Sequence, residues 1–185
     1  VAADRNYLTR QAQHSYRPNG HTAYRTVPTL PYAGNGAARV LNWASYAVTA
    51  TVVGLLTKRP TVVVGSTPHL LAPIAAWLVA RVRRVPFVLE VRDLWPEVLA
   101  EMGGMRPDSL LYRVLAGLAA FSLARADAVV VLAPGVGRAL VERGLDPARL
   151  HVVPNGADLV LPPADRAGAR AALGLGPDDL AVLYA

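Results

Sequence analysis

The chain has 185 residues and a formal net charge of +6, and its length suits one domain or slightly more. Hydrophobic residues make up 53% of it and charged residues only 17%, which excludes an intrinsically disordered chain because the apolar surface is ample to offset the entropy of ordering. The absence of cysteine excludes disulfides, thiolate zinc sites and cysteine nucleophiles.

The excess of basic residues favours an anionic partner, either a lipid surface or a phosphate-bearing substrate. A plain basic bias of the surface is the alternative. The arginines are scattered, and their only tight cluster is Arg81, Arg83 and Arg84. We expect no nucleic-acid partner, because such binding favours a recognisable module or basic residues interleaved with aromatics.

The first 36 residues are rich in turn formers, and a single short strand is predicted over Thr22–Val27. Residues 1–3 are typical of the end of a strand whose beginning is missing, and no signal peptide precedes the polar Asp4-Arg5 pair. We therefore expect the chain to be a piece of a longer protein.

A helical pattern follows from about Ala37 to Leu56, with apolar residues recurring on one face. It overlaps one of two long uncharged stretches, residues 40–57 and 60–80, which have the length of a membrane span. Polar residues interrupt the first stretch and three prolines interrupt the second. We interpret both as buried or interfacial elements.

Four short apolar runs then alternate with helical patterns. Strands that are apolar on both faces predict a parallel sheet covered by helices on both sides, which is a doubly wound α/β fold. The predicted strands are residues 61–64, 86–91, 127–132 and 151–153. A helix that ends near residue 83 is predicted after the first strand, helices over 95–102 and 108–125 after the second, and a helix that ends near residue 143 after the third.

Ligands of such a sheet bind beyond the carboxyl ends of its strands. This rule selects candidate site residues from topology alone, before any motif is considered. The segments that it selects are Gly65-Ser66-Thr67, Arg92-Asp93, Ala133-Pro134 and Asn155-Gly156.

The composition changes after Asn155-Gly156, a typical turn pair that we interpret as a hinge. Residues 157–179 contain Pro162-Pro163 and a short helical pattern near 165–173, and they predict an inter-domain linker. The apolar run 180–185 predicts the first strand of a further domain, because a lone strand cannot satisfy its backbone. The predicted organisation is a domain over 1–156, this linker, and a second domain that is missing, so that the chain is truncated at both ends.

The densest group of chemically active side chains is Glu90-Val91-Arg92-Asp93-Leu94-Trp95-Pro96-Glu97, directly after the second strand. Alternation along the strand places Glu90 and Arg92 on one face and Asp93 at the start of the loop. The structural alternatives are a Glu90–Arg92 ion pair and a helix cap at Asp93 or Pro96, with Glu97 in the first turn favouring the helix dipole.

Gly65-Ser66-Thr67-Pro68-His69 is the second candidate segment. Its glycine allows close backbone approach, and Ser66 or Thr67 can cap a helix that begins near His69 while N–H groups face an anion. A plain strand-to-helix turn is the alternative. No Gly-x-Gly-x-x-Gly, Walker-type, Asp-x-Asp or His-x-x-x-His pattern is present, and the four histidines are dispersed, so we expect no metal site.

Four segments in this order resemble a known family: Val63–His69, Pro86–Glu97, Arg125–Gly135 and Val152–Asp158. They are similar to the N-terminal domain of family 4 retaining glycosyltransferases of the GT-B fold. They look most like the WbuB-like group, which is linked to surface polysaccharide and O-antigen assembly. The block at 90–97 is the most specific part of the resemblance.

The resemblance implies a two-domain enzyme with Rossmann-like halves, in which this half receives the acceptor and the other half holds a nucleotide-sugar donor. It implies catalytic roles for Asp93, which orients hydroxyls, and for Arg92, which faces phosphate or a partner carboxylate. Trp95 suits stacking on a sugar ring or lipid tail, and equally a place in the core. The acceptor-binding residues that we expect are Glu90, Trp95, Glu97, Ser66, Thr67, His69, Arg5 and Tyr7.

The expected reaction is transfer of a hexose to a lipid-linked or saccharide acceptor in surface polysaccharide assembly, with no cofactor and no metal. The donor-binding carboxylates of the family would follow Ala185, so we expect no activity from this chain alone. A cytoplasmic location is expected, with peripheral contact of the apolar helix 37–57 at the anionic inner face of the plasma membrane. A non-catalytic α/β binding module for a phosphorylated metabolite and a peripheral membrane adaptor remain as alternatives.

Overall fold

A computed structural model of the chain describes residues 25–34, 36–101, 104–156, 165–176 and 178–182. The chain divides into two compact units, Val1–Pro154 and Asn155–Ala185. The elements of the first unit are α1 (Ala37–Leu56), β1 (Val63–Ser66), α2 (Leu71–Arg83), β2 (Phe87–Val91), α3 (Glu97–Glu101), α4 (Leu110–Arg125), β3 (Ala128–Val131), α5 (Pro134–Glu142), a 3₁₀ turn (Pro147–Arg149) and β4 (Leu150–Val152).

The strands form one parallel sheet in the order β1-β2-β3-β4. Val64 pairs with Val88, Val88 with Ala128, and Val129 with Leu150. An all-parallel sheet whose strands alternate with helices is the predicted α/β class, which is thereby confirmed. Because all four strands are parallel, their carboxyl ends and the loops that follow them lie at one edge of the sheet.

Two boundaries differ from the sequence-based expectation. β1 runs from Val63 to Ser66 instead of over 61–64, because Gly65 and Ser66 pair with Leu89 and Glu90 of β2. The strand predicted over Thr22–Val27 is not formed at residues 25–27, which are irregular, and residues 22–24 lie outside the described part of the chain.

The core lies on one face of the sheet, where alternate strand residues are almost fully buried: Phe87, Leu89, Val91, Val129 and Val131. Burying side chains of this size stabilises the fold by about 1.5–3 kcal/mol each. The residues of the opposite face, such as Val88 and Val130, are half-buried.

Gly65 allows α2 to approach the end of β1. A Cβ added at Gly65 would lie 2.7 Å from the Cβ of Ala76 and 3.0 Å from the Cα of Pro73. These atoms belong to a core helix, so they cannot move aside cheaply. The glycine thus fixes how closely the first turns of α2 approach the strand that precedes them.

Helix α1 packs against α2, and Gly54 lies directly against the side chain of Val79. The Arg83 guanidinium donates to the carbonyls of Leu55 and Thr57, so α2 supplies a cation to the C-terminal end of α1. In the described part of the chain, no helix combines the length and apolar character that crossing a membrane requires.

In the second unit, α6 spans Arg166–Ala172 and is capped by Asp165, whose side chain accepts from the N–H of Gly168 at 2.9 Å. Asn155 and Gly156 are exposed. Residues 180–182 of the predicted strand 180–185 are irregular, and residues 183–185 lie outside the described part. The boundaries 1–156, 157–179 and 180–185 and the hinge stay predictions.

Candidate functional site

The loop of residues 92–96, which follows β2, is fixed through its backbone by Thr67. The N–H of Arg92 donates to the Thr67 hydroxyl at 3.0 Å, and the N–H of Thr67 donates to the carbonyl of Glu90 at 3.1 Å. Thr67 is buried, so these two hydrogen bonds are shielded from water and hold the ends of β1 and β2 together.

The charged side chains of this loop are exposed, although its backbone is fixed by hydrogen bonds. The side chains of Arg92 and Asp93 are exposed, and among the described residues neither forms an ion pair or a side-chain hydrogen bond. Glu90 is half-buried and does not pair with Arg92. The ion-pair alternative for Glu90 and Arg92 is therefore wrong, and Asp93 caps no helix.

Glu97 closes the loop on its far side. It lies in the first turn of α3, as predicted, and its Oε1 accepts from the Arg143 guanidinium at 2.6 Å. The other carboxylate oxygen, Oε2, is buried without a hydrogen-bond partner. A buried carboxylate oxygen left unpaired costs free energy, which makes it a position where a ligand donor would be favoured.

An aromatic cluster lies beside the loop and comprises Trp43, Tyr46, His69 and Trp95. The rings of Trp43 and His69 stack, with centroids 5.2 Å apart and planes 11° apart. Trp95 meets Trp43 edge-on at 6.1 Å, and Tyr46 meets His69 edge-on at 5.4 Å. The cluster therefore joins α1 to the loops that follow β1 and β2.

Arg39 covers one side of the aromatic cluster. Its guanidinium carbon lies 5.5 Å from the Trp43 ring centroid and 5.8 Å from that of Tyr32, within the range of cation–π attraction. This cation makes the cluster a mixed apolar and positive surface, which suits a ligand that combines a ring or chain with a negative or hydroxyl-rich group.

His69 is held in its neutral form. Burial, the larger cause, and the nearby Arg39 charge together lower its pKa from 6.5 to about 4. The residue is only 8% exposed, and its Nδ1 is buried without a partner. A neutral imidazole has one donor and one acceptor nitrogen, so His69 can exchange hydrogen bonds with a hydroxyl group near pH 7.

Unpaired buried polar atoms gather at this edge of the sheet. They are Ser66 Oγ, His69 Nδ1, Trp95 Nε1 and Glu97 Oε2. A cavity of about 400 Å³ is lined by Thr67, Asp93, Trp95, Glu97, Arg143 and apolar side chains, which is within the size range of small-molecule sites. Of the four atoms, Trp95 Nε1, a donor, and Glu97 Oε2, an acceptor, belong to residues that line this cavity. The cavity can therefore hold a ligand that supplies both an acceptor and a donor.

Ser66 and Thr67 do not cap the helix that follows them, contrary to expectation. Helix α2 begins at Leu71, and no side chain caps its N-terminus. The Thr67 hydroxyl is already used as the acceptor for Arg92, and Ser66 lies with Tyr46 in the wall of a second cavity of about 350 Å³. Of the residues predicted to bind the acceptor, His69, Trp95 and Glu97 therefore lie in or beside the loop of residues 92–96. Thr67 holds the backbone of that loop, and Ser66 faces α1.

Two predicted acceptor residues, Arg5 and Tyr7, lie outside the described residues. Among the residues that are described, no three histidine or acidic side chains lie together as a metal-binding group.

Sequence reasoning did not select Arg39, Trp43 or Tyr46. The available signal was their spacing of four and three residues, which places them on one face of α1.

Two comparisons with known proteins bear on the chain. A family model described as "Glycosyl transferase 4-like domain" matches residues 2–156, which include the whole sheet, the loop 92–96 and the aromatic cluster. A search of curated proteins found no match for the chain.

Proposed function

Because the chain belongs to the glycosyl transferase 4-like domain family, we propose that it forms the acceptor-side half of a retaining hexosyltransferase. Members of this family act on a sugar donor and an acceptor. The finer proposal is a nucleotide-sugar donor held by a second domain, and a lipid-linked or saccharide acceptor used in surface polysaccharide assembly in the cytoplasm.

One observation supports this proposal above the others: the side chains of Arg92 and Asp93 are exposed on a backbone that is anchored. Thr67 holds the start of the loop, Trp43 packs on Trp95, and Arg143 pairs with Glu97 at its end. A catalytic or binding group needs this combination, because a fixed position lowers the entropy cost of reaching the productive geometry.

The proposed mechanism gives each group a charge-based role. The Asp93 carboxylate accepts a hydrogen bond from the acceptor hydroxyl and orients its oxygen toward the donor sugar. The Arg92 guanidinium offsets negative charge on the leaving diphosphate. Electrostatic stabilisation of this kind is usually the largest contribution to lowering the barrier of the transfer step. The sugar–phosphate bond breaks, the acceptor oxygen bonds to the sugar carbon on the same face, and the proton of the acceptor hydroxyl passes to the departing diphosphate oxygen. The aromatic cluster holds the ring or chain of the acceptor, and neutral His69 contacts a hydroxyl.

Asp93→Asn tests the proposal in the protein expressed from its complete reading frame. We expect kcat for sugar transfer to fall about a hundredfold, because the amide no longer offers two acceptor oxygens to orient the hydroxyl. The unfolding temperature should not change, since the exposed Asp93 side chain forms no ion pair or hydrogen bond among the described residues. The readout is release of nucleoside diphosphate from a panel of nucleotide sugars with saccharide and glycolipid acceptors.

Asp108→Asn is the matched control, because Asp108 is an exposed carboxylate whose one ion pair among the described residues is with Arg106, at 2.7 Å. It should retain full turnover. Equal loss of unfolding temperature and turnover in Asp93→Asn would assign Asp93 a structural role. Saturable binding of a phosphorylated metabolite, without release of diphosphate from any nucleotide sugar, would favour the non-catalytic binding module.

A further inference from the structure

The cavity of about 400 Å³ at the β2 loop reaches from that loop into the core. Its walls come from β2, from α4 and from the end of α5. Leu89, Val91, Leu140 and Leu145 line it and also belong to the hydrophobic core, whereas Asp93 lines it and is exposed. The cavity therefore has a deep end among core side chains and an outer end at the loop.

The polar side chains of the cavity wall that lie on α4 and beside it are already engaged in hydrogen bonds. Ser122 is buried, and its hydroxyl donates to the carbonyl of Leu118 at 3.0 Å. The Arg149 guanidinium donates to the carbonyls of Leu123 and Ala126. At the deep end a ligand therefore meets aliphatic side chains and polar groups that are used elsewhere.

The outer end differs, because two buried polar atoms there have no partner among the described residues. Trp95 Nε1 is a donor without an acceptor, and Glu97 Oε2 is an acceptor without a donor. Both residues line the cavity. One hydroxyl group on a ligand could serve both atoms, because its oxygen accepts a hydrogen bond and its O–H donates one.

This distribution of polar groups decides between a sugar ring and a hydrocarbon group at the deep end. A sugar ring would bury several hydroxyl groups without hydrogen-bond partners, which costs free energy. A hydrocarbon group loses nothing of this kind and gains from leaving water. An apolar cavity of about 150 Å³ already binds benzene, so a cavity of about 400 Å³ has room for an octyl group.

We propose that the cavity binds an aliphatic group that carries a hydroxyl, with the aliphatic group at the deep end and the hydroxyl between Trp95 Nε1 and Glu97 Oε2. The inference rests on the proposed function, because it takes this ligand to be the acceptor of sugar transfer. The hydroxyl is then at the end of the cavity that Asp93 lines. Such an acceptor has a hydrocarbon group next to its hydroxyl, which a plain saccharide lacks.

The experiment is calorimetric titration of the protein, expressed from its complete reading frame, with octan-1-ol and two comparison compounds. We expect octan-1-ol to bind. 1-Methoxyoctane should bind about tenfold more weakly, because it has no O–H to donate to Glu97. Methyl β-D-glucopyranoside should bind more weakly still. Shortening the alcohol to hexan-1-ol should weaken binding about fourfold for each methylene removed.

Two variants locate the bound alcohol. Ala119→Leu should weaken octan-1-ol binding more than about tenfold, because Ala119 lines the cavity and the larger side chain takes the place of at least two methylenes. Gly117→Leu is the matched control on the same helix, where an added Cβ meets nothing, and should leave binding unchanged. Trp95→Phe keeps the ring but removes the N–H, and should weaken binding of octan-1-ol and 1-methoxyoctane alike, about fivefold. Circular dichroism checks that each variant is folded.

Two outcomes would overturn the inference. Octan-1-ol could fail to bind, and the proposed function would still stand if the same protein released diphosphate from a nucleotide sugar with a saccharide acceptor. Alternatively, Ala119→Leu and Gly117→Leu could weaken binding equally, which would place the octyl group outside the cavity. Binding that only Ala119→Leu weakens, without release of diphosphate from any nucleotide sugar, would support the assignment of the cavity and refute the proposed function instead.

Discussion

Replacing His69 with phenylalanine should remove a specific acid-sensitive part of the folding free energy. In the folded chain His69 stays neutral down to a pKa of about 4, whereas its value without burial is 6.5. The unfolded chain therefore binds this proton more tightly. Stability should fall as the pH drops from about 6.5 to about 4, and this contribution should stay constant below that range.

The size of the effect follows from the two pKa values. A decrease from 6.5 to about 4 corresponds to at most about 3 kcal/mol, at roughly 1.4 kcal/mol for each pKa unit. The Arg39 guanidinium that contributes to it is only half-buried, so water screens part of that interaction. We therefore expect about 1–2 kcal/mol between pH 7 and pH 4.

Phenylalanine is the right replacement because it keeps a ring between Trp43 and Tyr46 while removing the titrating nitrogens. Urea unfolding of the wild type and of His69→Phe at several pH values measures the difference in stability at each pH. Carboxylates that titrate in the same range are common to both proteins and cancel. His151→Phe, at an exposed position in β4, is the control and should leave the pH profile unchanged.

The reasoning would be refuted by parallel pH profiles for the wild type and His69→Phe. That result would mean that His69 is equally protonated in the folded and unfolded chain, so that neither burial nor Arg39 holds the ring neutral.

Two further substitutions test the packing that positions the site. Gly65→Ala should destabilise the fold by about 1–3 kcal/mol and lower the unfolding temperature, because the added Cβ would lie 2.7 Å from that of Ala76. Gly117→Ala, on the exposed face of α4 where an added Cβ meets nothing, should instead stabilise the fold slightly. A change of the same sign in both variants would contradict the packing argument. Arg83→Gln should speed amide hydrogen exchange in the last turn of α1 and lower the free energy of unfolding by about 1.5–3 kcal/mol, because Arg83 donates to two carbonyls there. Unchanged exchange would show that the contact is not maintained in solution.

Most of the regular structure could be predicted because its signals are local. Helix α1 matches the predicted span of residues 37–56, and β2 differs from its prediction by one residue. The start and end of β1 could not be predicted in the same way. Gly65 is typical of a turn in sequence, yet its pairing with Leu89 keeps it in the strand, and that pairing depends on residues more than twenty positions away.

The candidate site was predictable in one part and not in another. The rule that ligands bind at the carboxyl ends of parallel strands selected Arg92 and Asp93, and both are exposed at that edge. The aromatic cluster depends on Trp43 and His69 meeting across 26 positions of chain, which no local pattern encodes. The roles of Thr67 and Arg143 were missed for the same reason, since each acts through a residue of another element.

The way in which Thr67 holds the β2 loop has a consequence for altering the protein. Its hydroxyl accepts a hydrogen bond from the main-chain N–H of Arg92 and does not contact the side chain, so any amino acid except proline, which lacks this N–H, can keep the support. Positions 92 and 93 could thus be randomised in a library with little loss of folded variants. A loss of sugar transfer in such variants would then report on the chemistry of the two side chains and not on folding.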